Sequence, residues 1–204
     1  MSNMNNISII VYRDMNKCRS NAAAAVVNGT IFISGGSDAT DCLTSVECYD
    51  ASSDVWTIIS NTPKYISGHR AVEVDGNLII MGGYGVVKNN EQRSATRMQW
   101  YGIGWAPEPP PKESVKYSQS VWELDTRDKD GEWIIKPFMS IPRYDFSIAK
   151  VDDKVFICGG WNKECLDDVQ ILDGGVWKSG PKMPTTRQYA PAVVVPAEFA
   201  RSLN

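Results

Sequence analysis

The chain has 204 residues, 43% of them apolar and 22% charged, with a formal net charge of −3. That balance fits an ordinary globular protein and gives no electrostatic basis for holding nucleic acid or an acidic membrane. Seven Trp and eight Tyr point to strands and repeated core contacts.

The chain opens with MSNMNNISIIVYRD. It has no basic start, and its apolar run from Ile7 to Tyr12 is too short for a secretion signal or a membrane span. Five cysteines (Cys18, Cys42, Cys48, Cys158, Cys165) include no CxxC pair. An odd, scattered set reads as reduced thiols, so the expected location is cytoplasmic or nuclear.

The first strong signal is AAAAVV, the turn Asn28-Gly29, then IFISGG at 31 to 36. Asn-Gly supplies the positive φ angles of a tight hairpin. The same order returns as RAVEV, Asp75-Gly76 and LIIMGG, and again as SIAKV, Asp152-Asp153 and VFICGG. The glycine pairs stand 47 and then 77 residues apart. Downstream of each pair comes a segment with Val and Asp: Val46/Asp50, Val121/Asp125 and Val169/Asp173. A Trp follows (Trp56, Trp133, Trp177), and then a Pro (Pro63, Pro142, Pro184). Arg19 and Arg143 each stand 16 residues before the first glycine of a pair, where the second copy has Ile66.

Each copy therefore predicts four short antiparallel strands: a, small and apolar; b, ending on Gly-Gly; c, with Val and Asp; and d, with Trp. Four strands in about 40 to 50 residues is the pattern of a propeller blade. This order of hydrophobics, Gly-Gly, spaced Trp, Pro and Arg resembles the kelch repeat over roughly residues 17 to 195. Tyr49 fills the aromatic position of the motif, and Leu124 and Leu172 replace it in the later copies.

The expected fold is all-β: a kelch-type β-propeller of three full four-stranded blades with a partial blade at the termini, an incomplete or open ring. As one domain, its repeats cover about 17–62, 63–141 and 142–183, with a partial repeat at 184–204. Blades stack face to face, so strands such as Ile31-Phe32-Ile33 are unbrokenly apolar. An open arc leaves unpaired edges, which predicts self-association as one way to complete the ring.

The second copy carries an insertion, residues 84–118, between strands b and c. It has no sustained period, and it holds Trp100, Tyr101, Trp105 and the run PEPPP. Loops of that length in compact domains are functional or lack fixed structure.

No catalytic or cofactor site is expected. The single histidine, His69, rules out the two-histidine copper site known on some kelch propellers and any His-rich zinc site. Glu164 and Asp168 match the start of an iron motif in plant specifier proteins with kelch repeats, but Leu172 replaces its histidine. TRDKDGEW at 126 to 133 has calcium-loop character, with Thr126 and Pro137 where acidic ligands belong.

The kelch resemblance implies a binding module whose b–c and d–a loops share one face, with a protein or peptide, acidic ones included, as partner. Carried onto this chain, that face includes Tyr65, Arg143, Tyr144, Arg187, Tyr189, Trp161, Asn162, Trp100 and Trp105. Arginine suits bidentate contact with carboxylates, and tyrosine offers rigid amphipathic area. Substrate recognition in a cullin ubiquitin ligase is the alternative by analogy, with an enzyme on a propeller scaffold less favoured.

Overall fold

The computed structural model describes residues 12–86, 98–100, 105–107, 115–128 and 131–194. Each repeat forms one antiparallel sheet. The first sheet is β1 (Ala23–Val27), β2 (Thr30–Ser34), β3 (Ser45–Asp50) and β4 (Val55–Asn61), paired in chain order. Asn28 and Gly29 turn β1 into β2 with φ of 49° and 80°, the geometry the sequence called for.

The second sheet begins with β5 (Ser67–Val74) and β6 (Asn77–Val86). Three short strands follow within the insertion: β7 (Met98–Trp100), β8 (Trp105–Pro107) and β9 (Val115–Tyr117). The sheet resumes with β10 (Val121–Leu124) and β11 (Ile134–Lys136). Its main order is β11-β10-β6-β5. The insertion begins as ladder: β6 runs on past Gly82-Gly83, and its end pairs with β9 through Tyr84↔Tyr117. Strands of three residues are too short to print a period on the sequence, so this regularity was not expected. The third sheet is β12 (Ser147–Val151), β13 (Lys154–Cys158), β14 (Val169–Asp173) and β15 (Val176–Ser179).

The sheets stack as successive blades of an open propeller. Ala23, Val27 and Phe32 of the first sheet pack on Leu78, Ile80 and Trp122 of the second. Ile79, Met81 and Val121 face the other way, onto Phe146, Val155 and Ile157 of the third. Consecutive residues in β6 thus serve two cores, which is why LIIM has no polar break. Among the described residues the first sheet has no such cover on its second face: Val26 is 59% and Ile31 39% exposed.

The glycine pairs carry the joints between blades. The second glycine of each pair donates its amide to the chain entering the next blade: Gly36 to the Ile66 carbonyl, Gly83 to Arg143, Gly160 to Arg187, at 2.7–2.8 Å. A Cβ on Gly36 would lie 2.6 Å from the Ser20 carbonyl oxygen, and one on Gly82 2.6 Å from that of Arg143. Both glycines also hold positive φ, so no side chain fits.

Trp residues of strand d reach back to the preceding blade. Trp56 Nε1 donates to the Arg13 carbonyl and Trp177 Nε1 to the Pro137 carbonyl, both at 2.9 Å. Trp133 Nε1 meets Ser60 Oγ at 3.3 Å. Of the partial blade expected at the termini, residues 1–11 and 195–204 lie outside the described residues. The strand a expected after the third forms no strand among them, although Ser147 Oγ donates to the Ala190 carbonyl.

Candidate functional site

The turns entering each innermost strand form a chain of hydrogen bonds around the propeller axis. Gly68 donates its amide to the Asn21 carbonyl, Asp145 to Gly68, and Tyr189 to Asp145, at 2.9–3.0 Å. All four residues hold φ between 51° and 64°. Each holds the same left-handed turn at the same point of its repeat.

Tyrosines gather on that side. Tyr144, from the third blade, sets its ring 5.1 Å from Tyr84 at 75° and 5.2 Å from Tyr117 at 33°. Burial, with Tyr117 and Tyr189 nearby, pushes the Tyr144 phenol well above its ordinary range. The three rings meet edge to face and tilted, so the cluster presents edges, faces and hydroxyls together. Tyr144 also shares a backbone bridge with Trp161, whose amide donates to the Tyr144 carbonyl at 2.9 Å. Beside Trp161, the Asn162 amide donates to the Glu164 carbonyl at 2.9 Å, tightening the b–c loop.

Tyr65 and Tyr189 lie at the rim, 37% and 64% exposed. Burial, and after it the Asp145 carboxylate, raise the Tyr189 pKa to about 12. Burial raises the Asp145 pKa, against the opposing effects of Tyr189 and of Arg70. Trp100 and Trp105 are register partners in the β7–β8 ladder; their side chains and most of the insertion fall outside the described residues.

The two arginines of the sequence pattern part company. Arg143 is fully buried. Its guanidinium donates to the Gly159 carbonyl at 2.8 Å and forks onto both Asp168 oxygens at 2.8 and 2.6 Å. That corrects its place on the ligand face: the group is spent inside its own blade, tying the segment before strand a to the start of strand c. Arg19 does the same work in the first blade, donating to the Gly35 carbonyl and to Glu47. Asp168, the second residue of the iron-motif lookalike, is committed to Arg143. Arg187 stays exposed, because its backbone, not its side chain, makes the joint with Gly160.

Two functional-looking residues lay outside the sequence pattern. His69 is fully buried in β5, with Nε2 2.8 Å from Ser34 Oγ. Burial, with the charges of Arg70 and Arg19, drives its ring from 6.5 to about 3, so it is a neutral packing element. Arg70 follows it on the innermost strand, four residues past Ile66, where the other copies hold Ala23 and Ser147. A charged residue at so crowded a position was the available signal.

Comparison with known proteins adds the following. The family model described as Kelch motif matches residues 18–63 and 142–184. The human Kelch repeat and BTB domain-containing protein 12 is 25% identical over 78% of this chain and 24% of its own length. The Influenza virus NS1A-binding protein homolog of Xenopus laevis is 37% identical over 36% of this chain and 11% of its own length. The chain thus spans about a quarter or less of these curated relatives. The solved structure of YjhT superposes with a TM-score of 0.63 at 14% identity, over 83% of this chain and 54% of the other, a likeness of fold.

Proposed function

The chain belongs to the kelch-repeat family, and from that premise we propose that it works as a protein-interaction module, not an enzyme. The observation that carries this reading is the tyrosine cluster Tyr84, Tyr117 and Tyr144, built from two blades and rimmed by exposed Tyr65 and Tyr189. Rigid aromatic side chains with a polar tip supply large contact area at little entropic cost. The names of the curated relatives support a protein as partner.

The test is site-directed photo-crosslinking from Tyr65 and Tyr189, with Val176 on the outer strand as control, in cells expressing the full chain. A protein trapped at both rim positions and not at Val176 is expected. With that protein purified, Tyr189→Ala should weaken binding roughly tenfold, the scale of one interface anchor. Equal trapping at the outer strand would overturn the loop-face reading.

Substrate recognition in a cullin ubiquitin ligase is the second reading, favoured by the BTB domain in the human relative's name; it requires co-purification with a cullin. Self-association would use the uncovered Val26–Ile31 face of the first sheet and would appear as a dimer in sedimentation.

A further inference from the structure

Beside the axis lies a cavity of about 330 Å³, lined by Arg70, Ser147, Ile148, Tyr189 and residues 190–192. That volume is at the small end of ligand-binding cavities. Arg70 is the charged residue of its lining.

Arg70 is held rigidly at the wall. Its Nε donates to the Phe146 carbonyl at 2.7 Å and its Nη1 to the His69 carbonyl at 3.0 Å. The guanidinium also lies 5.9 Å from the centroid of the Phe146 ring. A guanidinium has five N–H donors, and two of them are used in these bonds. The nearest carboxylate, Asp145, stands 3.9 Å from Nη1, beyond hydrogen-bond reach. Asp145 is outside the cavity lining. Burial lowers the Arg70 pKa, opposed by the charges of Asp145 and Tyr189.

The surroundings set the ligand's shape. Ser147 commits its hydroxyl to the Ala190 carbonyl. Ile148, Ala190, Pro191 and Ala192 offer apolar wall. One planar cation with an apolar surround matches a carboxylate on a short hydrocarbon stem.

We propose that Arg70 and its cavity form a carboxylate-binding site, taking either the acidic side chain of a partner or a free small carboxylic acid. The site stands independently of the loop-face reading, because a free acid tests it without any protein partner. It also moves acid recognition from Arg143, which is buried and spent, to an arginine that still has donors.

The experiment uses the full chain labelled with ¹⁵N, titrated separately with sodium glutarate and with an acetylated hexaglutamate peptide. The readout is the Arg70 Nε–Hε resonance, assigned by its absence in Arg70→Lys. A saturable shift with glutarate alone identifies a free acid as ligand. A shift with the peptide alone identifies an acidic side chain. Arg70→Gln should weaken the responding probe at least tenfold in calorimetry. Arg70 anchors two carbonyls, so Ala192→Asp is the second variant: it leaves Arg70 intact, adds a negative charge at the cavity wall, and should weaken binding to a similar extent. No saturable shift with either probe, or binding unchanged in both Arg70→Gln and Ala192→Asp, overturns the proposal. Crosslinking at Tyr65 and Tyr189 remains informative in either event, so the two readings fail separately.

Discussion

Gly160 donates its amide to the carbonyl of Arg187 at 2.7 Å, and Gly36 repeats the bond with Ile66 at 2.8 Å, where the arginine of the pattern is missing. The joint between blades therefore depends on backbone, not on the side chain that follows. It needs a second glycine because a Cβ on Gly36 would meet the Ser20 carbonyl oxygen at 2.6 Å, and one on Gly160 the Tyr144 carbonyl oxygen at 2.8 Å.

Gly36→Ala should separate local strain from blade crowding when compared with Gly29→Ala. Both glycines have positive φ, but nothing lies within 4 Å of a Cβ at Gly29. Gly29→Ala should cost about 1 kcal/mol, the left-handed backbone penalty. Gly36→Ala adds collision with backbone and should cost roughly 3 kcal/mol or more. Urea denaturation followed by Trp fluorescence reads both, and equal losses would refute the joint.

Arg143→Met should be severe where Arg187→Ala is mild. The first leaves the Gly159 carbonyl without its guanidinium donor and Asp168 with only the Gln170 amide, at 3.1 Å. Breaking a buried pair from one side costs about 3–5 kcal/mol, and the lower end applies because the Asp168 side chain is 22% exposed. Arg187 is an exposed surface residue, so its loss should stay within about 0.5 kcal/mol. Comparable urea midpoints for the two variants would contradict this assignment.

His69 predicts acid sensitivity above the carboxylate range. Its ring titrates near 6.5 when unfolded and at about 3 when folded, so the unfolded chain binds the extra proton first. Stability is therefore full above 6.5 and declines as pH falls toward 3, by up to about 1.4 kcal/mol per unit. Glu47 and Asp168 have lowered pKa values, so their contributions are present above the ordinary carboxylate range and are lost only below it. Between pH 6.5 and 5 the slope should vanish in His69→Asn, measured by denaturation at each pH; an unchanged slope would discount His69.

Trp177→Phe removes the indole N–H donated to the Pro137 carbonyl at 2.9 Å while keeping an aromatic ring. The expected loss is about 0.5–1.5 kcal/mol, that of one ordinary hydrogen bond. Trp133→Phe should lose less, because its partner is a hydroxyl at 3.3 Å. Thermal melts of the two variants give the order, and the reverse order would count against these bonds.

What the sequence decided is the repeat. Hairpin turns at Asn28-Gly29 and Asp75-Gly76, the unbroken LIIM run and the Gly-Gly ends are local consequences of backbone geometry and of burial on both faces, so they are written where they act. The short ladder from Tyr84 to Tyr117 was hidden, because three-residue strands carry no period.

The two arginine assignments depended on distance in space. Arg143 sits in a motif that on sequence grounds served a ligand as well as a blade. Only the fold set its guanidinium against Gly159 and Asp168, 16 and 25 residues away. Arg70 was one of two charges in a short strand until the chain brought Phe146, 76 residues on, to hold it beside an open cavity. Local sequence determines which strands form and where they turn. Which polar groups are satisfied inside, and which keep donors for a ligand, follows from contacts between distant residues, and only the tertiary structure supplies those.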